Sequence, residues 1–205
     1  PGAYFEARLG RASPVDGHRV EAGPVCLDVH ASEALLASGG TDGVIAILET
    51  HGGAPAMKTT IKAAGAKHVH AVRLHPTRPL VVSAHSDGTA RASSTETGDA
   101  VLTIAAHGGS ANGKHAAKRT LHQGLLADMS LLPCVGITLH PTGEFAVSAS
   151  SDRTWTLLDL NRGIVVVRST MDASHSGYAC ASFHPDGLIL ATATESIVRV
   201  WEVSS

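Results

Sequence analysis

Residues 135–160, VGITLHPTGEFAVSASSDRTWTLLDL, contain a whole structural unit: an alternating apolar run closing on His140-Pro141, a second run finishing on Ser148, a tight turn at Asp152, and a third run. The chain repeats it three times, as VCLDVHASEALLASGGTDGVIAIL (25–48), VRLHPTRPLVVSAHSDGTARA (72–92) and CASFHPDGLILATATESIVRVWEV (180–203). A repeat at this period means that each unit is one supersecondary module, which buries its apolar face only against its neighbours.

The His closing the first run of each copy falls at His30, His75, His140 and His184, in steps of 45, 65 and 44 residues. The two short steps match a four-stranded propeller blade of about 40–45 residues, and the long one holds an insertion. The turn acids keep the same phase, since Asp42, Asp87 and Asp152 follow Ser38, Ser83 and Ser148 at equal distance. Within each copy, Val25, Leu27 and Val29 alternate with Cys26 and Asp28, and Val72 and Leu74 flank Arg73, as strands require. Asp42-Gly43 and Asp87-Gly88 mark the hairpin between second and third strands, where a carboxylate accepts turn amides.

With 205 residues, 43% hydrophobic content, a formal charge of −2 and no bilayer-length apolar run, the sequence reads as soluble, globular and intracellular. It starts on Pro1 and shows no charged-then-apolar leader, so secretion is not expected. Near-neutral charge argues against a strong electrostatic footprint for nucleic acid.

Cys26 and Cys180 each stand four residues before the repeat His, where the other copies have Ala71 and Gly136. That position takes a small residue, so the cysteines, with Cys134 beside it, read as packing groups without thiol chemistry. His68 and His70 share one face of a strand and could in principle hold a metal, but the expectation is none. No catalytic constellation is expected either. Ser, His and Asp recur once per unit at matching positions, whereas a catalytic group should be singular, and no phosphate-binding loop or cofactor motif is present.

These residues resemble the WD-repeat family, whose blades close into a ring. In that family a His ahead of the first strand joins the Ser and Asp of the blade, which here implies His68 with Ser83 and Asp87, alongside Ser38–Asp42 and Ser148–Asp152. The closing Trp-Asp type dipeptide survives only as Trp201-Glu202; the other copies have Leu48-Glu49, Ser93-Ser94 and Leu158-Asp159. HPTGEFAVSASSDRTWTLLDLNRGIVV, with Trp155 displaced by three residues, and YACASFHPDGLILATAT resemble more closely the family of pre-mRNA-processing factor 19, splicing-associated U-box ubiquitin ligases. The likeness is good over about 134–205 and generic over 24–97. It implies a nuclear protein in which a U-box, a tetramerising coiled coil and a seven-bladed propeller act together in splicing and DNA repair. No region of this chain resembles the U-box or the coiled coil.

The expected organisation is all-β: a linker or ring-closing strand at 1–23, then about four WD-repeat blades at 24–66, 67–104, 134–168 and 177–205, as part of a seven-bladed ring. An inserted loop lies at 105–133, where Leu121, Leu125, Met129 and Leu132 stand at near-helical spacing. The expected function is recruitment of spliceosomal proteins or ligase substrates to the complex, with His70 and Tyr178 as candidate contacts. Two alternatives stay open: a general WD-repeat scaffold, and an RNA-contacting propeller using Arg73, Arg91, Arg153 and Arg199.

Overall fold

Alternation becomes sheet in every copy. The computed structural model describes residues 23–50, 55–62, 68–107, 134–171 and 176–203. They form fifteen strands in four antiparallel sheets, each assembled in chain order, with no helix among the described residues. The first sheet holds β1 (Pro24–Val29), β2 (Leu35–Gly40), β3 (Val44–Glu49) and β4 (Ala56–Lys62). The second holds β5 (Val69–Leu74), β6 (Leu80–His85), β7 (Thr89–Ser94) and β8 (Ala100–Ala105). The third holds β9 (Cys134–Leu139), β10 (Phe145–Ser150), β11 (Thr154–Asp159) and β12 (Ile164–Thr170). The fourth has three strands, β13 (Cys180–Phe183), β14 (Ile189–Ala193) and β15 (Val198–Glu202). The expected leading strand and the insertion's helical stretch lie outside the described residues.

The sheets are blades packed face to face through their first strands, β1 on β5, β5 on β9 and β9 on β13. One apolar cluster fills each of the three junctions. Leu35, Ala37, Ile45, Ile47 and Ile61 of the first blade meet Val69, Val72, Leu74 and Val81 of the second. The next junction is built largely from alanine, with Ala71, Ala84, Ala90, Ala92 and Ala146 packed around Val82, Ile137 and Leu158. Trp155 and Met171 of the third blade close on Tyr178, Leu190 and Trp201 of the fourth. Small side chains let two sheets approach closely, which is how a chain of 3% aromatic content fills its core without the usual tryptophans. Gly136 shows the limit: a Cβ there would lie 3.4 Å from Cys180 Cα in the next blade. Among the described residues no such packing joins the first sheet to the fourth, so the blades form an open arc.

The third-to-fourth strand ladder shifts register at the same place in three blades, between Ile47/Leu48, Ala92/Ser93 and Leu157/Leu158. A bulge at a fixed position bends the outer strand at the same place in each of these blades.

Candidate functional site

Two sets of polar residues recur at the blade junctions. The first uses the repeat histidines. In His30 and His75, backbone amides of the following turn donate to Nδ1, from Ser32 and Glu33 in one and from Thr77 and Arg78 in the other. In His30 the ring proton therefore sits on Nε2 and donates to the His75 carbonyl of the next blade at 3.0 Å, while His75 Nε2 lies 2.9 Å from the Gly143 carbonyl and 2.9 Å from Arg78 Nε. His140 repeats this, with Thr142 N on Nδ1 and Nε2 donating to the Gly187 carbonyl at 3.2 Å. Gly143 and Gly187 adopt φ of 76° and 77°, and a side chain at either would run into the histidine ring it receives. Arg78 strengthens one junction by donating to Gly143 O and Asn161 Oδ1.

The second set surrounds the turn acids. Asp42, Asp87 and Asp152 each accept the amide two residues on, from Val44, Thr89 and Thr154. In the third blade the set is complete. Cys134 Sγ lies 2.7 Å from Ser148 Oγ, which lies 2.6 Å from His107 Nε2. The other nitrogen, His107 Nδ1, lies 2.7 Å from Thr154 Oγ1, and that hydroxyl donates to Asp152 Oδ1 at 2.5 Å. One proton arrangement satisfies all of it: Cys134 donates to Ser148, Ser148 to His107, His107 to Thr154 and Thr154 to Asp152. Burial pushes the Asp152 carboxyl up, but the bonds from His107 and Thr154 outweigh it and hold the group well below the usual carboxylate range. Burial drives the Cys134 thiol up to about 12.

Serine, imidazole and carboxylate in line resemble a hydrolytic triad, but the geometry serves architecture. Ser148 and Cys134 are wholly buried, and the Asp152–His107 contact is 3.5 Å and shared through Thr154. A nucleophile without access to substrate performs no chemistry. Among the described residues no group of His, Cys, Asp and Glu is arranged to hold a metal ion.

The second blade departs from its expected set. Ser83 Oγ pairs at 2.8 Å with His85 Nε2, from two residues on along the same strand. Asp87 takes Thr89 and the Arg91 guanidinium. His68 does not reach them: its amide donates to Ser86 Oγ, and its ring stacks beside His70 with centroids 6.1 Å apart. His85 is wholly buried on β6 and takes the place at Ser83 that the expected set gave to His68. Burial, and then the Arg91 charge, pull the His85 pKa down to about 4. Ser38 is buried at the matching place in the first blade. Trp201 donates from Nε1 to Thr192 Oγ1 at 2.9 Å.

Of the two candidate contacts, His70 is half-buried on β5, and burial followed by the His68 ring lowers its pKa. Tyr178 is a correction. Only 2% exposed, it is packed against Trp155, Met171 and Val147 and offers no rim surface. A residue in a connecting segment was expected outside, but the third blade covers it. His107 and Thr154 went unnoticed because the insertion separates His107 from β9; the surviving signal is its position just past β8.

Repeated blades, inter-blade histidines and turn acids define a propeller-type repeat protein. The WD domain, G-beta repeat model matches residues 12–47, 57–92 and 167–202, more than half of the chain, and the chain belongs to that family. Its WD repeats are homologous to those of pre-mRNA-processing factor 19. It is 31% identical to pre-mRNA-processing factor 19 homolog 2 of Arabidopsis thaliana over 92% of the chain and 32% of that relative. It is 31% identical to pre-mRNA-processing factor 19 of Bos taurus over 67% of the chain and 23% of the relative. For pre-mRNA-processing factor 19 of Oryza sativa subsp. japonica the figures are 29%, 89% and 31%. The chain thus spans about a quarter to a third of the length of the curated relatives it matches.

Proposed function

We propose that this propeller segment recruits partner proteins within a splicing-associated ubiquitin ligase assembly in the nucleus, with a further role in DNA repair. The observation that carries the reading is the match to pre-mRNA-processing factor 19 relatives along nearly the whole chain. The histidine and acid sets hold the connecting loops rigidly, so a partner meets a preorganised surface and gives up little conformational entropy. Bound proteins then gain effective concentration near a ligase module elsewhere in the assembly. His70, beside His68, is the contact we assign on the inner strands.

Protein partners are favoured over RNA because two of the four candidate arginines are engaged. Arg91 is tied to Asp87 and Thr89, and Arg73 donates to the Val72 carbonyl. The test is add-back of the full-length polypeptide to a nuclear extract depleted of its pre-mRNA-processing factor 19. Restored splicing, weakened by His70→Ala, is expected; an inert full-length protein overturns the reading.

A further inference from the structure

The inner strands make a set of bonds from blade to blade that fails at one junction. Ladder parity decides which amides are free to make them. His75, His140 and His184 donate their amides within their own hairpins, to the carbonyls of Leu80, Phe145 and Ile189. The residue before each histidine, Leu74, Leu139 or Phe183, therefore turns its N–H away from its own sheet. Asp28 Oδ2 of the first blade accepts Leu74 N at 2.7 Å, and Thr138 Oγ1 of the third accepts Phe183 N at 3.3 Å. Both acceptors stand two residues before a repeat histidine.

In the second blade that place belongs to Arg73, whose side chain has no acceptor to offer. Arg73 lies on the face of β5 that carries Ala71, and Ala71 packs with Cys134 and Ile137 of the third blade. It is thus directed toward β9 as Asp28 is toward β5. Leu139 N, the counterpart of Leu74 N, finds no acceptor among the described residues. Arg73 itself uses Nη1 on the Val72 carbonyl at 2.8 Å. Val72 turns its peptide groups away from β6, so this bond holds the half-buried guanidinium on the inner edge of the arc. Nε and Nη2 keep no partner, and no carboxylate reaches them, among the described residues. Two donors, one of them cationic, border a place that lacks the repeat's own acceptor.

We propose that Arg73 and Leu139 N form an anion subsite on the channel wall, which takes a carboxylate from an acidic segment of a partner protein. The inference deepens the reading of this chain as a partner-recruiting propeller and rests on it, Arg73 sharing β5 with His70. One carboxylate oxygen accepts from the guanidinium and the other from Leu139 N, a charge-assisted pair. Phosphate satisfies the same donors. A carboxylate is favoured because the fold already seats one, Asp28, against the equivalent amide of the neighbouring blade. A chain of formal charge −2 also supplies no wider positive field for a polyanion.

The experiment measures binding of dye-labelled oligoglutamate to the full-length polypeptide by fluorescence polarisation, beside oligoglutamine and oligouridylate, with Arg73→Gln and Arg73→Asp as variants. Hydrogen exchange read by mass spectrometry follows the peptides that contain Leu139. Expected is binding of oligoglutamate alone, weakened at least about tenfold in dissociation constant by Arg73→Gln, with Leu139 exchange slowed by the bound peptide. Arg73→Asp supplies the acceptor that Asp28 supplies one blade earlier. It should abolish binding, slow Leu139 exchange with no peptide present and keep the thermal midpoint, which loss of a purely structural arginine would lower. No binding, equal binding of oligoglutamine, indifference to Arg73→Gln, or a Leu139 amide left unprotected overturns the proposal. Arg73-dependent binding of oligouridylate in place of oligoglutamate overturns it too, in favour of RNA. Splicing add-back is read separately: its failure with peptide binding intact removes the splicing assignment, whereas lost peptide binding with splicing restored removes the subsite alone.

Discussion

His107 Nε2 lies 2.6 Å from Ser148 Oγ, joining the segment after the second blade to the buried middle strand of the third. His107→Leu keeps the volume and strips hydrogen-bond partners from Ser148 and Thr154, each of which then bears a desolvation cost of about 1–3 kcal/mol. The expected loss is about 3 kcal/mol of unfolding free energy in denaturant titration, with Ser148→Ala losing less. A variant as stable as the parent would show that the set is incidental.

Gly143 and Gly187 combine a left-handed backbone with a neighbouring ring. Alanine at either has to bear roughly 1 kcal/mol of backbone strain and displace His75 or His140 from its carbonyl, a further ~1 kcal/mol. We expect Gly143→Ala and Gly187→Ala each to lose about 2–3 kcal/mol. Gly23→Ala, with nothing within 4 Å of the new methyl, should be neutral. Thermal midpoints of the three variants decide it.

His85 makes the protein acid-sensitive in a defined window. Its folded pKa of about 4 lies below the ordinary 6.5, so between these values the unfolded chain binds more protons and stability falls as pH falls. Above 6.5 the contribution is complete, and below about 4 it has been lost, a span of at most about 3 kcal/mol. His85→Gln can keep the bond to Ser83 and does not titrate. Its stability–pH curve should be flatter across that window, and an unchanged slope would count against the assignment.

The repeat histidines, the turn acids and most strand positions were legible because each recurs, and a period averages out local ambiguity. Residues that break the period were not. His85 displaces His68 from Ser83 by standing two residues along the same strand, a substitution visible only once burial is known. His107 works across an insertion that spoils the spacing, and the WD-repeat match correspondingly skips the stretch from 93 to 166, although β8–β11 form there. Tyr178 was misread because exposure depends on the neighbouring blade, not on its own segment.

Cys134 donates its thiol proton into a filled network, and with its pKa pushed up to about 12 it forms no thiolate near neutrality. Native alkylation followed by peptide mapping should modify Cys180 first, Cys26 more slowly, and Cys134 only in denaturant. Early labelling of Cys134 would mean that the second and third blades open locally.

Trp155 and Trp201 meet edge to face, with centroids 5.3 Å apart and planes at 63°, and they are the chain's two tryptophans. Intrinsic emission therefore reports the junction of the third and fourth blades specifically. Truncation of a large buried aromatic costs about 3–5 kcal/mol, while the ring–ring contact itself contributes about 0.5–1.5 kcal/mol. Trp155 sits three residues from the place its blade would use for a closing tryptophan, and from there it supplies the trailing face on which Trp201 rests. A double-mutant cycle with Trp155→Leu and Trp201→Leu should return a coupling of that smaller size. A coupling indistinguishable from zero would reduce the displaced tryptophan to bulk filler and leave Tyr178 and Leu190 as the residues that hold the fourth blade.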